Sequence, residues 1–138
     1  MICLDSNIFI YPFVNKENNA KVELHKKLFV KIANREILAA TSILTWDEFT
    51  YTIKKHLGRD NAVSEGKKFL SFPNLIFLKV DDKVIFLAQD LLTKYNLNPR
   101  NAIHTATALT NNINEILSDD SDFDQIKEIK RIKLENFK

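Results

Sequence analysis

One cysteine, two glycines and three prolines are all that 138 residues contain of the usual structural punctuation. A lone thiol cannot pair within the chain, so this is no disulfide-stapled scaffold. Cys3, inside the apolar run Ile2-Cys3-Leu4, reads as a buried free thiol in a reducing compartment. With two glycines there is no Gly-rich phosphate loop, which counts against a nucleotide-triphosphate enzyme. No window reaches the roughly 18 uninterrupted apolar residues of a membrane helix, and Met1-Ile2-Cys3-Leu4 opens without a basic region and a long apolar stretch behind it. The expectation is a soluble, cytoplasmic protein with no membrane partner. Charge of one sign is scarce too: 20 Lys and Arg against 18 Asp and Glu leave +2, too little to name a nucleic-acid partner. Lysines gather at Lys21, Lys26, Lys27 and Lys31, at Lys54 and Lys55, and at Lys67 and Lys68. Such runs are ordinarily solvated helix faces, and only a nearby site would turn them into phosphate contacts.

The length suits one domain, 1–138, which buries roughly two-thirds of its unfolded surface and so needs no zinc or disulfide. Ile2 to Leu4 predicts a short strand ended by Asp5-Ser6-Asn7. Leu24, Leu28, Phe29 and Ile32 predict a helix ending near Asn34, and Ile37 to Ala40 a buried strand. Trp46, Phe49, Ile53 and Leu57 keep helical spacing up to Gly58, the stop expected just past a helix. Val63, Gly66 and Leu70 mark a weaker helix closed by Pro73, and Leu75 to Val80 a strand covered on both faces. After the capping pair Asp81-Asp82 comes the cleanest stripe: Val84, Leu87, Ala88, Leu91, Leu92 and Tyr95. Asn98-Pro99 opens a helix whose body, Ala102 to Leu109, is small and apolar. Glu115 to Ser118 predicts another strand, and Ile132 and Leu134 alternate like a last one. Strands alternating with helices indicate an α/β three-layer sandwich with a mainly parallel central sheet, whose ligands sit beyond the carboxyl ends of the strands.

That rule selects acids. Asp5 and Asp120 each follow a strand, and Asp122 lies two residues further on. Glu48 stands about 40° round its helix from Leu44, at about 100° per residue, and so edges toward the buried side. Each has an ordinary alternative: Asp5 as a helix cap, Glu48 as a solvated helix residue, and Asp119, Asp120 and Asp122 as a turn. His104, on a tightly packed helix, reads as structural more readily than as a general base. Together, carboxylates converging at one sheet edge repel and demand a cation. Hard oxygen donors without a His or Cys cluster favour Mg²⁺ or Mn²⁺ over zinc.

Four segments resemble the PIN-domain family, in its order and across nearly the whole chain. They are Leu4-Asp5-Ser6-Asn7, Ser42 to Phe49, Pro99 to Leu109 and Ser118 to Phe123. The resemblance implies a sheet order of 3-2-1-4-5 and a Mg²⁺- or Mn²⁺-dependent endoribonuclease, often the toxin of a VapBC-type toxin–antitoxin pair. It implies Asp5, Glu48 and Asp120 as metal ligands, Asp122 as a supporting acid, and Ser6 or Asn7 as holders of a bound water. Partners would be an RNA substrate, a second copy in a homodimer, and a small antitoxin with a basic side chain. One position departs: where the family carries aspartate this chain has Asn101, which can ligate a cation without adding charge and cannot act as a base. Weaker metal binding and slow or absent cleavage are therefore expected, and a catalytically impaired PIN-like module that grips RNA or protein is the alternative. Arg100 and a lysine such as Lys54 are candidate phosphate contacts. A phosphatase using Asp5 as nucleophile, as in the haloacid-dehalogenase family, fits poorly, because that family's second aspartate is Asn7 here and no cap domain fits the length.

Overall fold

The computed structural model describes residues 1–15, 17 and 19–137. Five strands, β1 (Ile2–Leu4), β2 (Ala39–Ser42), β3 (Leu75–Leu78), β4 (Glu115–Leu117) and β5 (Lys130–Ile132), form one sheet in the order β3-β2-β1-β4-β5. All four pairings are parallel. Among the described residues six α-helices cover it: α1 (Ser6–Val14), α2 (Asn19–Ala33), α3 (Leu44–Leu57), α4 (Arg59–Leu70), α5 (Asp82–Lys94) and α6 (Pro99–Thr110).

β1 is apolar along its whole length because both its faces are covered, and the alternation along β1, β2 and β4 assigns the layers. Ile2, Leu4, Ala39 and Leu117 face α1 to α4, where Ile8, Phe9, Leu28, Phe49 and Phe69 meet them. Cys3, Ala40 and Ile116 point the other way, onto Val84, Ala88, Leu91, Ala102 and Ala106 of α5 and α6. The chain runs β1 to β2 to β3 in one direction and then crosses to β4 on the far side of β1. The reversal between β1 and β4 opens the crevice that such sheets use for ligands.

Several boundaries and faces differ from the sequence reading. β2 is Ala39–Ser42, two residues later than Ile37 to Ala40. Its buried Thr41 donates to Leu4 O at 2.8 Å and lies 2.8 Å from Thr45 Oγ1, so polar residues continue the strand at no unpaired cost while Leu38 is exposed. β3 stops at Leu78 and is an edge strand, with Ile76 exposed instead of covered. α4 buries Ala62, Gly66 and Phe69, leaving Val63 and Leu70 exposed. Gly66 is there for approach: a Cβ would stand 3.0 Å from Thr50 Cγ2. Leu134 lies in a 3-10 turn, Leu134–Asn136, after β5, which the polar Lys130 and Arg131 disguise. Among the described residues no helix is long and apolar enough to cross a membrane.

Candidate active site

β1 delivers Asp5 to the crevice. Its backbone N–H donates to Leu117 O at 3.0 Å, so the ends of β1 and β4 are joined there. The side chain is 4% exposed. Oδ1 accepts from Ser6 N at 2.7 Å and so caps α1, while Oδ2 accepts from Ser118 Oγ at 2.6 Å. Capping and site membership are thus the same act. Burial pushes the Asp5 carboxyl above the ordinary aspartate range, only partly offset by His104 and by the bonds from Ser118 and Ser6.

Glu48 reaches in from the second turn of α3. Its Oε2 accepts from Ser6 Oγ at 3.0 Å, and Oε1 lies 2.5 Å from His104 Nε2. The same nitrogen is 3.7 Å from Asp5 Oδ1. Burial pushes Glu48 up, but the hydrogen bond and charge of His104, the Ser6 bond and the Arg100 guanidinium outweigh it, and the carboxyl is held low. Asp120 follows β4 and caps the 3-10 turn Ser121–Gln125. Its N–H donates to Ser118 Oγ at 3.0 Å, Oδ1 accepts from Asp122 N at 2.9 Å, and Oδ2 accepts from Asn101 Nδ2 at 2.9 Å. Asn101 sits in the first turn of α6, whose start Asn98 fixes by accepting from Arg100 N at 3.0 Å.

The residues selected from sequence divide accordingly. Asp5, Glu48, Asn101, Asp120 and Ser6 join one hydrogen-bonded network, and Asn7 enters through Nδ2 to Ser118 Oγ at 3.2 Å. Asp122 contributes its backbone N–H while its side chain is exposed. Lys54 lies about 9 Å along α3 from Glu48 and about 120° round it, facing away. Arg100 is exposed beside Glu48. Lys21 pairs with Asp119 at 3.0 Å, next to the site.

One residue was missed, and another was read as structural. Ser118 bonds Asp5, Asn7 and Asp120 at once. The rule that selected Asp5, a polar residue just past a buried strand, applies to it equally. His104 is fully buried against Glu48 and Asp5, not a core histidine. Its signal was position: three residues after Asn101 on a helix is nearly the same face.

The donors suit a hard cation. Asp5 and Glu48 both lie within reach of one point, and their oxygens match Mg²⁺, which is often held by one or two carboxylates with water and substrate phosphate completing the shell. As the side chains stand, no three His, Cys, Asp or Glu among the described residues converge enough to hold an ion.

A family model described as PIN domain matches residues 2–129. The chain belongs to the PIN-domain family. Ribonuclease VapC2 of Methanocaldococcus jannaschii is 28% identical over 145 residues, covering 96% of this PIN-domain chain and 93% of the relative. The crystal structure of VapBC2 from Rickettsia felis bound to a promoter DNA fragment matches with a TM-score of 0.74 at 19% identity, over 96% of this chain and 98% of that one. VapC20 of Mycobacterium tuberculosis, a sarcin-ricin loop cleaving toxin, matches with a TM-score of 0.73 at 15% identity, over 92% and 95% of the two chains. At those identities the structural likeness speaks for the fold, the PIN-domain sandwich with its 3-2-1-4-5 sheet.

Proposed function

We propose that this PIN-domain protein is a metal-dependent endoribonuclease and the toxin of a VapBC-type pair. The observation that carries the reading is the hydrogen-bonded network at the β1–β4 reversal, where Ser6 bonds Asp5 and Glu48 and Ser118 bonds Asp5 and Asp120, in a chain similar to a relative named a ribonuclease. Asp5 and Glu48 would hold Mg²⁺ or Mn²⁺, with Asp120 and the Asn101 amide oxygen as further donors. When bound, such an ion supplies polarisation of a phosphoryl oxygen and eases deprotonation of an attacking water. The residues do the rest. Ser6 and Ser118 fix the orientation of Asp5, and Asp122, exposed at the rim, orients water or a ligand. Arg100 meets the phosphate backbone. The products would carry a 5′-phosphate and a 3′-hydroxyl.

A second reading is favoured by one feature: each oxygen of the three acids already accepts a hydrogen bond from the protein or has His104 beside it. A site so satisfied, with the neutral Asn101 in place of a fourth acid, suits a catalytically impaired module that binds RNA or protein. The two readings part in one assay. Single-stranded RNA with Mn²⁺ is cut by the enzyme and spared in EDTA, and Asn101→Asp accelerates the cutting. Tight RNA binding with no cutting by either protein would establish the module instead.

As to partners, the neighbours solved as VapBC complexes support a small antitoxin, whose basic side chain would enter the acidic site, and a homodimer is the accompanying proposal.

A further inference from the structure

His104 is fully buried on α6, yet it makes no anchoring bond to the core. Its Nε2 lies 2.5 Å from Glu48 Oε1 and 3.7 Å from Asp5 Oδ1, and its Nδ1 has no hydrogen-bond partner among the described residues. His25, equally buried, also leaves one ring nitrogen, Nε2, without a partner among the described residues, but its Nδ1 meets the Lys21 carbonyl of its own helix at 2.8 Å, whereas the bonded nitrogen of His104 faces acids from other elements. A buried ring nitrogen left unpaired is costly, so a histidine kept only for packing would be replaced by an apolar residue without penalty. What His104 adds beyond volume is one donor, aimed at the two acids. Both neighbours are acceptors, so Nε2 carries the proton.

Glu48 needs such a donor. It arrives from α3, on the other face of the sheet from α6, on a long flexible side chain that is 14% exposed and has a way out to water. Besides His104, only Ser6 Oγ hydrogen-bonds it among the described residues. Asp5, by contrast, is locked by a backbone cap and by Ser118. An unheld Glu48 would retreat from the Asp5 carboxylate, since two close carboxylates repel.

We infer that His104 is a positioning residue that pins Glu48 beside Asp5 and so preforms the two-carboxylate cation site. Its effect on metal affinity rests on the metal reading proposed above; its effect on Glu48 does not. The wild type, His104→Gln and His104→Leu are crystallised after EDTA treatment, and Mn²⁺ binding is followed by paramagnetic resonance of the free ion. Glutamine carries an N–H donor where Nε2 lies, whereas leucine fills similar space without one. Should the leucine variant fail to fold, His104→Asn takes its place, because its amide ends short of Glu48. Glu48 stays beside Asp5 in the wild type and His104→Gln, and turns toward solvent in the donorless variant. Mn²⁺ affinity falls about 10- to 100-fold in that variant, the range for losing a residue that orients a metal ligand, and glutamine restores most of it. Glu48 unmoved in the donorless variant overturns the inference, as does a Mn²⁺ affinity equal to the wild type's. A wild type that binds no Mn²⁺, with Glu48 still displaced in the donorless variant, refutes the metal reading and supports the positioning role.

Discussion

At the scale of the residue, the site is an arrangement of costs. Asp5 is a carboxylate where water is nearly absent, and its proton affinity is raised for that reason. A folded-state pKa above the unfolded value means ionisation costs stability, so stability is lost as pH rises from the ordinary carboxylate range through the folded value. Asp5→Asn, which keeps an oxygen for the Ser6 cap, should remove that loss. In EDTA its melting temperature should equal or exceed the wild type's, by a margin that widens from about pH 4 toward neutrality. A variant less stable than wild type at pH 7 would show that Asp5 is not destabilised by burial. Cys3 offers a simpler check. Burial, with the charge of Asp5 beside it, pushes its thiol up to about 12. A thiol reagent at pH 8 should label the native protein no faster than it unfolds, and rapid native labelling would contradict the burial of β1.

At the scale of the element, three helices and the edge strand pack through phenylalanine. Phe69 of α4 meets Phe9 of α1 at 5.0 Å, Phe49 of α3 at 5.2 Å and Phe77 of β3 at 5.3 Å between ring centres. Phe69→Ala should cost about 3–5 kcal/mol by urea unfolding, the usual loss for a buried aromatic, and a loss under about 1 kcal/mol would mean the cluster is not core. The same residue shows where the sequence misled. Val63, Gly66 and Leu70 keep helical spacing, and so do Ala62, Gly66 and Phe69; the second set is buried, because Gly66 turned toward Thr50 brings Phe69 with it. Helices with a clean stripe or a capping residue were legible: Asp81 caps α5 and Asn98 caps α6, as their sequences announce. Short strands were less so, since Thr41 and Arg131 extend β2 and β5 through partners that only the fold supplies. In the site, Asp5 and Asp120 were legible because they follow strands, and Glu48 by its position on the inner side of α3. Their organisers were harder to read: Ser118 ends a strand and His104 shares a helix face with Asn101, but only the fold shows which acids they bond.

At the scale of the whole molecule, the topology does the chemical work. Three carboxylates that lie far apart in sequence enter one hydrogen-bonded network because β1 and β4 are neighbours and α3 begins at the same sheet edge. If the protein is a toxin, a short reading frame should precede its gene, and the encoded protein, co-expressed, should copurify with it and suppress its RNA cleavage. A lone gene with no such neighbour would favour an RNA-processing role. The central claim is that Asp5 is the pivot of a cation-dependent nuclease site, and RNA cleavage with Mn²⁺ by the wild type and Asp5→Asn tests it most directly. The account predicts cutting by the wild type that EDTA stops and that Asp5→Asn abolishes, while the variant remains folded. Cleavage that persists unchanged in Asp5→Asn, or in EDTA, would contradict it.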